Sequence, residues 1–69
     1  MISAAVMSVD GLKDEESVKK VKDALMDLPG VLRIKVILEK KIVTVDFDTG
    51  LVDLQDLSRA IRQAGFLPV

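Results

Sequence analysis

Hydrophobic residues recur along the chain with two different periods, and these periods predict its elements. Residues 2–9 are apolar on both alternations apart from two serines, which is typical of a strand in the centre of a sheet. Residues 33–38 and 42–47 alternate apolar and polar side chains, so they predict two half-buried strands joined by a turn near Glu39 and Lys40. Residues 66–69 predict a short last strand, and Pro68 places that strand at an edge.

Two segments between these strands follow the helical period. The first predicted helix opens with Asp14, Glu15 and Glu16, because a helix dipole favours carboxylates in the first turn, and it ends at residues 29–30. The second begins near Asp53, with Gly65 as its C-cap. Each helix has one apolar stripe at positions i, i+3, i+7 and i+10. The stripes consist of Val18, Val21, Leu25 and Leu28, and of Leu54, Leu57, Ile61 and Ala64.

The predicted order of elements is therefore βαββαβ. Helical stripes and alternating strands must bury their apolar faces against one another. One layer of helices packed on one sheet buries all of these faces. The simplest arrangement is an α+β, ferredoxin-like sandwich, with a four-stranded antiparallel sheet and both helices on one face. No linker or low-complexity tract interrupts the pattern, so we expect residues 1–69 to form a single domain.

Composition and charge exclude several classes of function. The net charge is −1 and there are two aromatic residues, whereas a nucleic-acid partner needs a basic face or a stacking platform. The chain has no histidine, cysteine or tyrosine, so it lacks a nucleophile–base pair and we do not expect an enzyme. The apolar residues 1–7 have no basic leader and are too few to span a bilayer. We expect no membrane insertion and a cytoplasmic location.

Four sequence pieces occur in an order and at a spacing that resemble the heavy-metal-associated (HMA) domain family, the small copper-chaperone-like domains. The pieces are V-D-G-L-K-D-E-E-S-V-K-K-V at 9–21, A-L-M-D-L-P-G-V at 24–31, V-T-V-D-F-D at 43–48, and L-x-x-A-I-x-x-A-G-F at 57–66. An ACT-type regulatory domain has the same topology, and Asp10-Gly11 could pass for its ligand-binding turn. The L-P-G-V and A-G-F pieces favour the HMA family.

The resemblance implies a metal loop from which the ligands are missing. The family signature G-M-x-C-x-x-C places Gly11 on its glycine and Leu12 on its methionine. Phe66 falls on the position that lies beside the metal. The two cysteines that hold Cu(I) and pass it to a partner fall on Asp14 and Ser17. Cu(I) is soft and prefers sulfur, whereas carboxylate and hydroxyl oxygens are hard ligands. We therefore expect no metal ligands of the family type and no cofactor, with weak metal binding left open.

The resemblance also suggests what such a chain does instead. Related domains dock partners through the loop and the first helix. We therefore predict a degenerate member of the family that serves as a protein-interaction or regulatory module in a metal-handling setting, with a metal-transport protein as a candidate partner. The predicted partner-binding residues are Lys13, Glu15, Glu16, Lys19 and Lys20. Two alternatives stay open, namely a metal-ion carrier with non-cysteine ligands and an ACT-like small-molecule sensor.

A second surface follows from the strand alternation. Ile2, Ala4 and Val6 alternate with side chains that should face the helices, and Ile37 and Ile42 belong to the same outer side. The predicted fold leaves this side uncovered, so an apolar patch there suggests a homodimer or a partner surface. The alternative is a set of scattered aliphatic residues, since strands favour isoleucine and valine even at the surface.

Overall fold

The computed structural model describes residues 1–69, and its elements follow the predicted order. They are β1 (Ile2–Asp10), α1 (Glu15–Met26), β2 (Val31–Ile37), β3 (Ile42–Asp48), α2 (Leu54–Gln63) and β4 (Leu67–Pro68). The sheet has the strand order β2-β3-β1-β4, and every pair is antiparallel. Both helices pack on one face of this sheet. The predicted ferredoxin-like sandwich is thus confirmed, with β1 in the interior of the sheet and β4 at its edge.

The core lies between the sheet and the two helices. In the sheet, Ala5 pairs with Val45 and Met7 with Val43, so these four side chains face the helices together. The largest fully buried side chains come mainly from the helices and from the loop before α1, and they are Leu12, Leu25, Leu57 and Ile61. The apolar stripes therefore meet the inner face of the sheet, as the pattern predicts.

The prediction for Leu54 is wrong, because this side chain is 56% exposed. Leu54 is the first residue of α2, directly after the N-cap Asp53. Val52, which precedes the cap, is buried in the same core cluster as Leu57. Residues on either side of a helix start commonly pack in this way and fix the entry of the chain. The chain thus enters α2 with Val52 inside the core and Leu54 outside it.

Other positions differ from the pattern by smaller amounts. Val18 and Leu28 of the α1 stripe, and Met7 of β1, are half-buried at the margin of the core. Leu38, predicted at the end of a strand, lies instead in a 3-10 turn of residues 38–40. Lys41 follows this turn with a φ of 56°, in the left-handed region. Neither helix of the structure combines the length and the apolar character that crossing a membrane requires.

The outer face of the sheet carries the residues predicted for it. Across β1 and β3, Ile2 pairs with Asp48, Ala4 with Asp46 and Val6 with Thr44. Ile37 on β2 pairs with Ile42 on β3 in the same alternation. No helix covers this face, and Ile2 and Val6 are 66% and 68% exposed. The homodimer through this face stays a prediction.

Candidate functional site

The loop between β1 and α1 is fixed to the core at both of its sides. Gly11 has a φ of 103° and lies against the ring of Phe66, since a Cβ at Gly11 would be 3.0 Å from Phe66 Cδ1. The next residue, Leu12, is 1% exposed, and Phe66 is buried as well. Glycine is therefore required here by both its backbone angle and its close neighbour. The structure brings Gly11, Leu12 and Phe66 together beneath the loop.

Asp14 and Ser17 bond to each other and start helix α1. Asp14 is the N-cap, and its Oδ1 accepts a hydrogen bond from the backbone N–H of Ser17 at 2.9 Å. In return, Ser17 Oγ accepts from the backbone N–H of Asp14 at 3.1 Å and from that of Lys13 at 3.0 Å. The Ser17 hydroxyl donates to the Asp14 carbonyl oxygen at 2.7 Å. This reciprocal pair is a capping box, and it satisfies N–H groups that a helix start leaves free.

The electrostatics of the loop follow from these bonds. The backbone N–H of Ser17, which donates to the carboxylate, lowers the pKa of Asp14, and the nearby Ser17 hydroxyl and the positive charges of Lys13 and Lys20 act in the same direction. Asp14 is exposed, whereas Ser17 is buried. The carboxylate thus stays ionised and is held by the helix start.

Neither position suits the transfer of a soft metal ion. The Ser17 oxygen already accepts two hydrogen bonds and donates one, so its bonding capacity is committed to the backbone. Asp14 offers only hard oxygen atoms. No group of three or more acidic, histidine or cysteine side chains comes together elsewhere in the chain. The residues at the ligand positions therefore do not fit Cu(I).

The predicted partner-binding residues lie on one exposed surface around this loop. Lys13 precedes the cap, and the other four occupy the first two turns of α1. Lys20 Nζ lies 3.9 Å from Glu16 Oε1, whereas no ion pair joins Glu15 and Lys19. Lys13, Glu16 and Lys20 line a shallow depression of about 500 Å³, whereas Glu15 and Lys19 line a separate one further along α1. The walls of the first depression also include Ala64 and Gly65, which the sequence pattern predicts only as the end of the α2 stripe and its cap.

Comparison with known proteins relates the chain to metal carriers and transporters. The model of the heavy-metal-associated domain matches residues 6–66. The chain is 33% identical over 60 residues to the copper chaperone CopZ of Bacillus subtilis, covering 87% of each protein. It is 31% identical over 65 residues to the copper-transporting ATPase 2 of Rattus norvegicus and 34% identical over 59 residues to the ATPase RAN1 of Arabidopsis thaliana. The chain spans only 4% and 6% of these two ATPases.

Solved structures agree with these sequence matches. A structure of a CopZ metallochaperone superimposes with a TM-score of 0.94 at 28% identity, covering 97% of this chain and all of the other. Oxidized MerP from Ralstonia metallidurans CH34 gives a TM-score of 0.94 at 26% identity, covering 100% of this chain and 96% of the other. The backbone of a metal-carrying domain is thus retained around a loop that has no cysteine.

Proposed function

Because this chain belongs to the heavy-metal-associated domain family, we propose that it is a member that docks proteins within metal transport without carrying the metal. The single observation that carries this proposal is the capping box of Asp14 and Ser17. At the two ligand positions, the side chains bond to the backbone of the helix start. The loop is therefore ordered by the chain itself, and a metal ion is not needed to complete it.

Membership of the family also bears on whether this domain is an enzyme. HMA domains and copper chaperones bind or carry metals and are not enzymes, which confirms the prediction that this domain has no catalytic activity. The relatives named above support a setting in copper transport, with a metal-transport protein as the partner. We further propose that residues 1–69 act as one domain and that the domain works in the cytoplasm.

The proposed docking surface is the loop together with the first two turns of α1. Its five charged residues are Lys13, Glu15, Glu16, Lys19 and Lys20. All are exposed, and only one weak ion pair forms among them, so most of these charges are free to meet a partner. Exposed charges mainly set the rate and the orientation of an encounter. The ordered loop adds a fixed shape at the centre of the surface.

An NMR titration tests the docking surface. The isotope-labelled chain is mixed with the metal-binding domain of the copper-transporting ATPase from the same organism, with a Cu(I) chelator present. We expect saturable shifts at residues 13–20 and an affinity that Cu(I) does not change. The Lys19→Glu, Lys20→Glu double variant should bind about tenfold more weakly. The matched Arg59→Glu, Arg62→Glu variant makes the same change of charge on α2, where both side chains are exposed and line a separate depression, and it should bind normally. An affinity that appears only with Cu(I) would contradict the proposal.

The alternative of a metal-ion carrier has its own test. Cu(I) under reducing conditions, and then Zn²⁺, are titrated into the labelled chain at near-equimolar concentration. We expect no saturable shifts, because two hard ligands without a third form at best a weak site. Shifts confined to residues 11–18 and Phe66 would favour the carrier. The ACT-like sensor has no observation in its favour, since the family model that matches is the HMA one.

A further inference from the structure

The end of the molecule opposite the Asp14 loop exposes a group of large apolar side chains. At this end α1 finishes, β2 begins and β3 leads into α2. The exposed fractions there are 55% for Met26, 53% for Leu32, 64% for Leu51 and 56% for Leu54. Isolated exposed leucines are common, but several on neighbouring segments mark an interaction surface. We call this end, comprising residues 26–32 and 48–54, the acidic pole.

Backbone contacts join the two segments of the acidic pole. The carbonyl of Gly30 accepts a hydrogen bond from the N–H of Asp48 at 2.8 Å. Leu51 lies so close to Gly30 that a Cβ on Gly30 would be 2.7 Å from Leu51 Cβ. Leu32 follows Gly30 by two residues on β2, and Leu54 follows Leu51 by three. The two segments that carry these apolar side chains therefore meet at one short contact.

The charge within the acidic pole is negative. Residues 26–32 and 48–54 contain three aspartates and no lysine or arginine, and Asp23, Asp46 and Asp56 flank these two segments. Asp27 and Asp53 are exposed, and the Asp48 side chain is 39% exposed. The positive groups nearby are Lys22, Arg33, the amino group of Met1, which is 3.4 Å from Asp48, and Arg59 and Arg62, which line one surface depression with Leu54. The other aspartates form no ion pair within the chain.

We propose that the acidic pole binds a basic amphipathic segment of another protein. Leucine and methionine would receive the apolar side of such a segment, and the aspartates would face its lysines and arginines. Amphipathic helices commonly dock in this way, and methionine adapts well to such a contact. Complementary charge favours this partner over acidic ones. The pole lies at the far end from the docking surface on α1, so the chain can hold two proteins at once.

A model peptide provides the first test. The probe is a synthetic helix of about 18 residues with a leucine stripe flanked by lysines. The control peptide has the same leucines, with glutamate in place of every lysine. In an NMR titration we expect saturable shifts at residues 26–32 and 48–54 with the basic peptide, and binding at least about tenfold weaker with the acidic one. No saturable shift, or equal binding of both peptides, would overturn the proposal.

Variants of the chain assign the binding to the pole. The Leu32→Gln, Leu51→Gln double variant changes only exposed side chains, and its amide spectrum reports whether the fold is kept. It should bind the basic peptide about tenfold more weakly. The matched Leu67→Gln variant removes a leucine that is 61% exposed at the opposite end, and it should bind normally. An equal loss of peptide affinity in both variants would show that the peptide does not bind at the pole. Self-association of the chain that Leu51→Gln abolishes would show that a second copy, and not a basic segment of another protein, occupies the pole.

Discussion

At the scale of single residues, the loop depends on how Asp14 and Ser17 use their hydrogen bonds. Each side chain bonds to the backbone of the other, and Ser17 is buried while it does so. The sequence indicates that Asp14 opens a helix, but it does not reveal the return bond from Ser17. The usual capping-box pattern has serine first and an acid three residues later, and here the two types are exchanged. The reciprocal geometry becomes visible only in three dimensions.

Restoring the two cysteines should restore metal binding. We expect the Asp14→Cys, Ser17→Cys double variant to bind Cu(I), because two thiolates then occupy the positions that the family uses. The variant should also lose about 1 kcal/mol of unfolding free energy with the cap. Competition with a coloured Cu(I) chelator under reducing conditions measures the binding. The Asp14→Ala, Ser17→Ala variant is the control, and a folded cysteine variant that binds no better would refute the residue alignment.

The capping carboxylate should make the fold sensitive to acid. The folded-state pKa of Asp14 is lowered by its bonds with Ser17, so its contribution to stability is present above its unfolded pKa of about 3.9. That contribution is lost as the pH falls through the lower, folded pKa. Asparagine at this position also caps but does not titrate. The difference in stability between wild type and Asp14→Asn should therefore narrow below about pH 4 in urea melts. A difference in stability that stays constant with pH would show that the Asp14 carboxylate does not cause the acid sensitivity.

At the scale of elements, the two helices begin in the same way. Asp53 caps α2 as Asp14 caps α1, and its partner three residues later is Asp56. Periodicity therefore locates both helices well, because stripe and cap agree in each. It fails at Leu54, where the spacing matches the stripe but the residue lies in the first turn. Periodicity gives the angle of a side chain around the helix axis, and it does not tell where the sheet beneath the helix ends.

The α1 stripe can be tested with two neighbouring residues. Leu25 is fully buried and Met26 is 55% exposed. Leu25→Ala should lower the unfolding free energy by about 2–5 kcal/mol, since it leaves a cavity in the core. Met26→Ala should change it by about 0.5 kcal/mol or less, as is usual for surface sites. Denaturant melts of both variants measure the effect, and a loss below about 1 kcal/mol for Leu25→Ala would contradict the burial.

The contact between the two connections depends on a glycine. Gly30 has a φ of 96° and no room for a Cβ beside Leu51, whereas Gly65 has a φ of 97° and open space around it. Alanine at either position is strained by about 1–2 kcal/mol. Gly30→Ala must also displace Leu51, so it should be the more destabilising by about 1 kcal/mol or more. Thermal melts compare the stabilities of the two variants. An equal loss of stability would show that the backbone angle alone sets the cost and that the close approach of Leu51 adds nothing.

At the scale of the whole molecule, the surfaces depend on which segments the fold brings together. The sequence pattern gives the order of the elements and the outward side of β1, because both follow from local periodicity. It does not show that residues 23–33 and 46–56 meet, since they are distant in the chain. The concentration of aspartates at one end arises only from that meeting. The distribution of charge over the surface is therefore the feature of this protein that the sequence predicts least well.

The uncovered face of the sheet is the predicted interface of a homodimer. If Ile2, Val6 and Ile37 pair with a second copy, sedimentation velocity should show a dimer that dissociates on dilution. Val6→Lys places a charge in the centre of this face and should yield a monomer at every concentration. Gln55→Lys adds the same charge on α2 and should leave the dimer intact. A chain that is monomeric throughout would show that this face carries only scattered aliphatic residues.

The capping box has one more consequence, which concerns oxidation. A pair of exposed thiols is converted by oxidants to a disulfide, and such a loop then changes its chemistry with the redox state of its surroundings. A loop closed by a carboxylate, a hydroxyl and backbone amides has no group that oxidants attack under the same conditions. The surface formed by Gly11, Lys13 and the start of α1 therefore keeps one shape in reducing and in oxidising media. A partner that binds this surface would encounter it unchanged during oxidative stress.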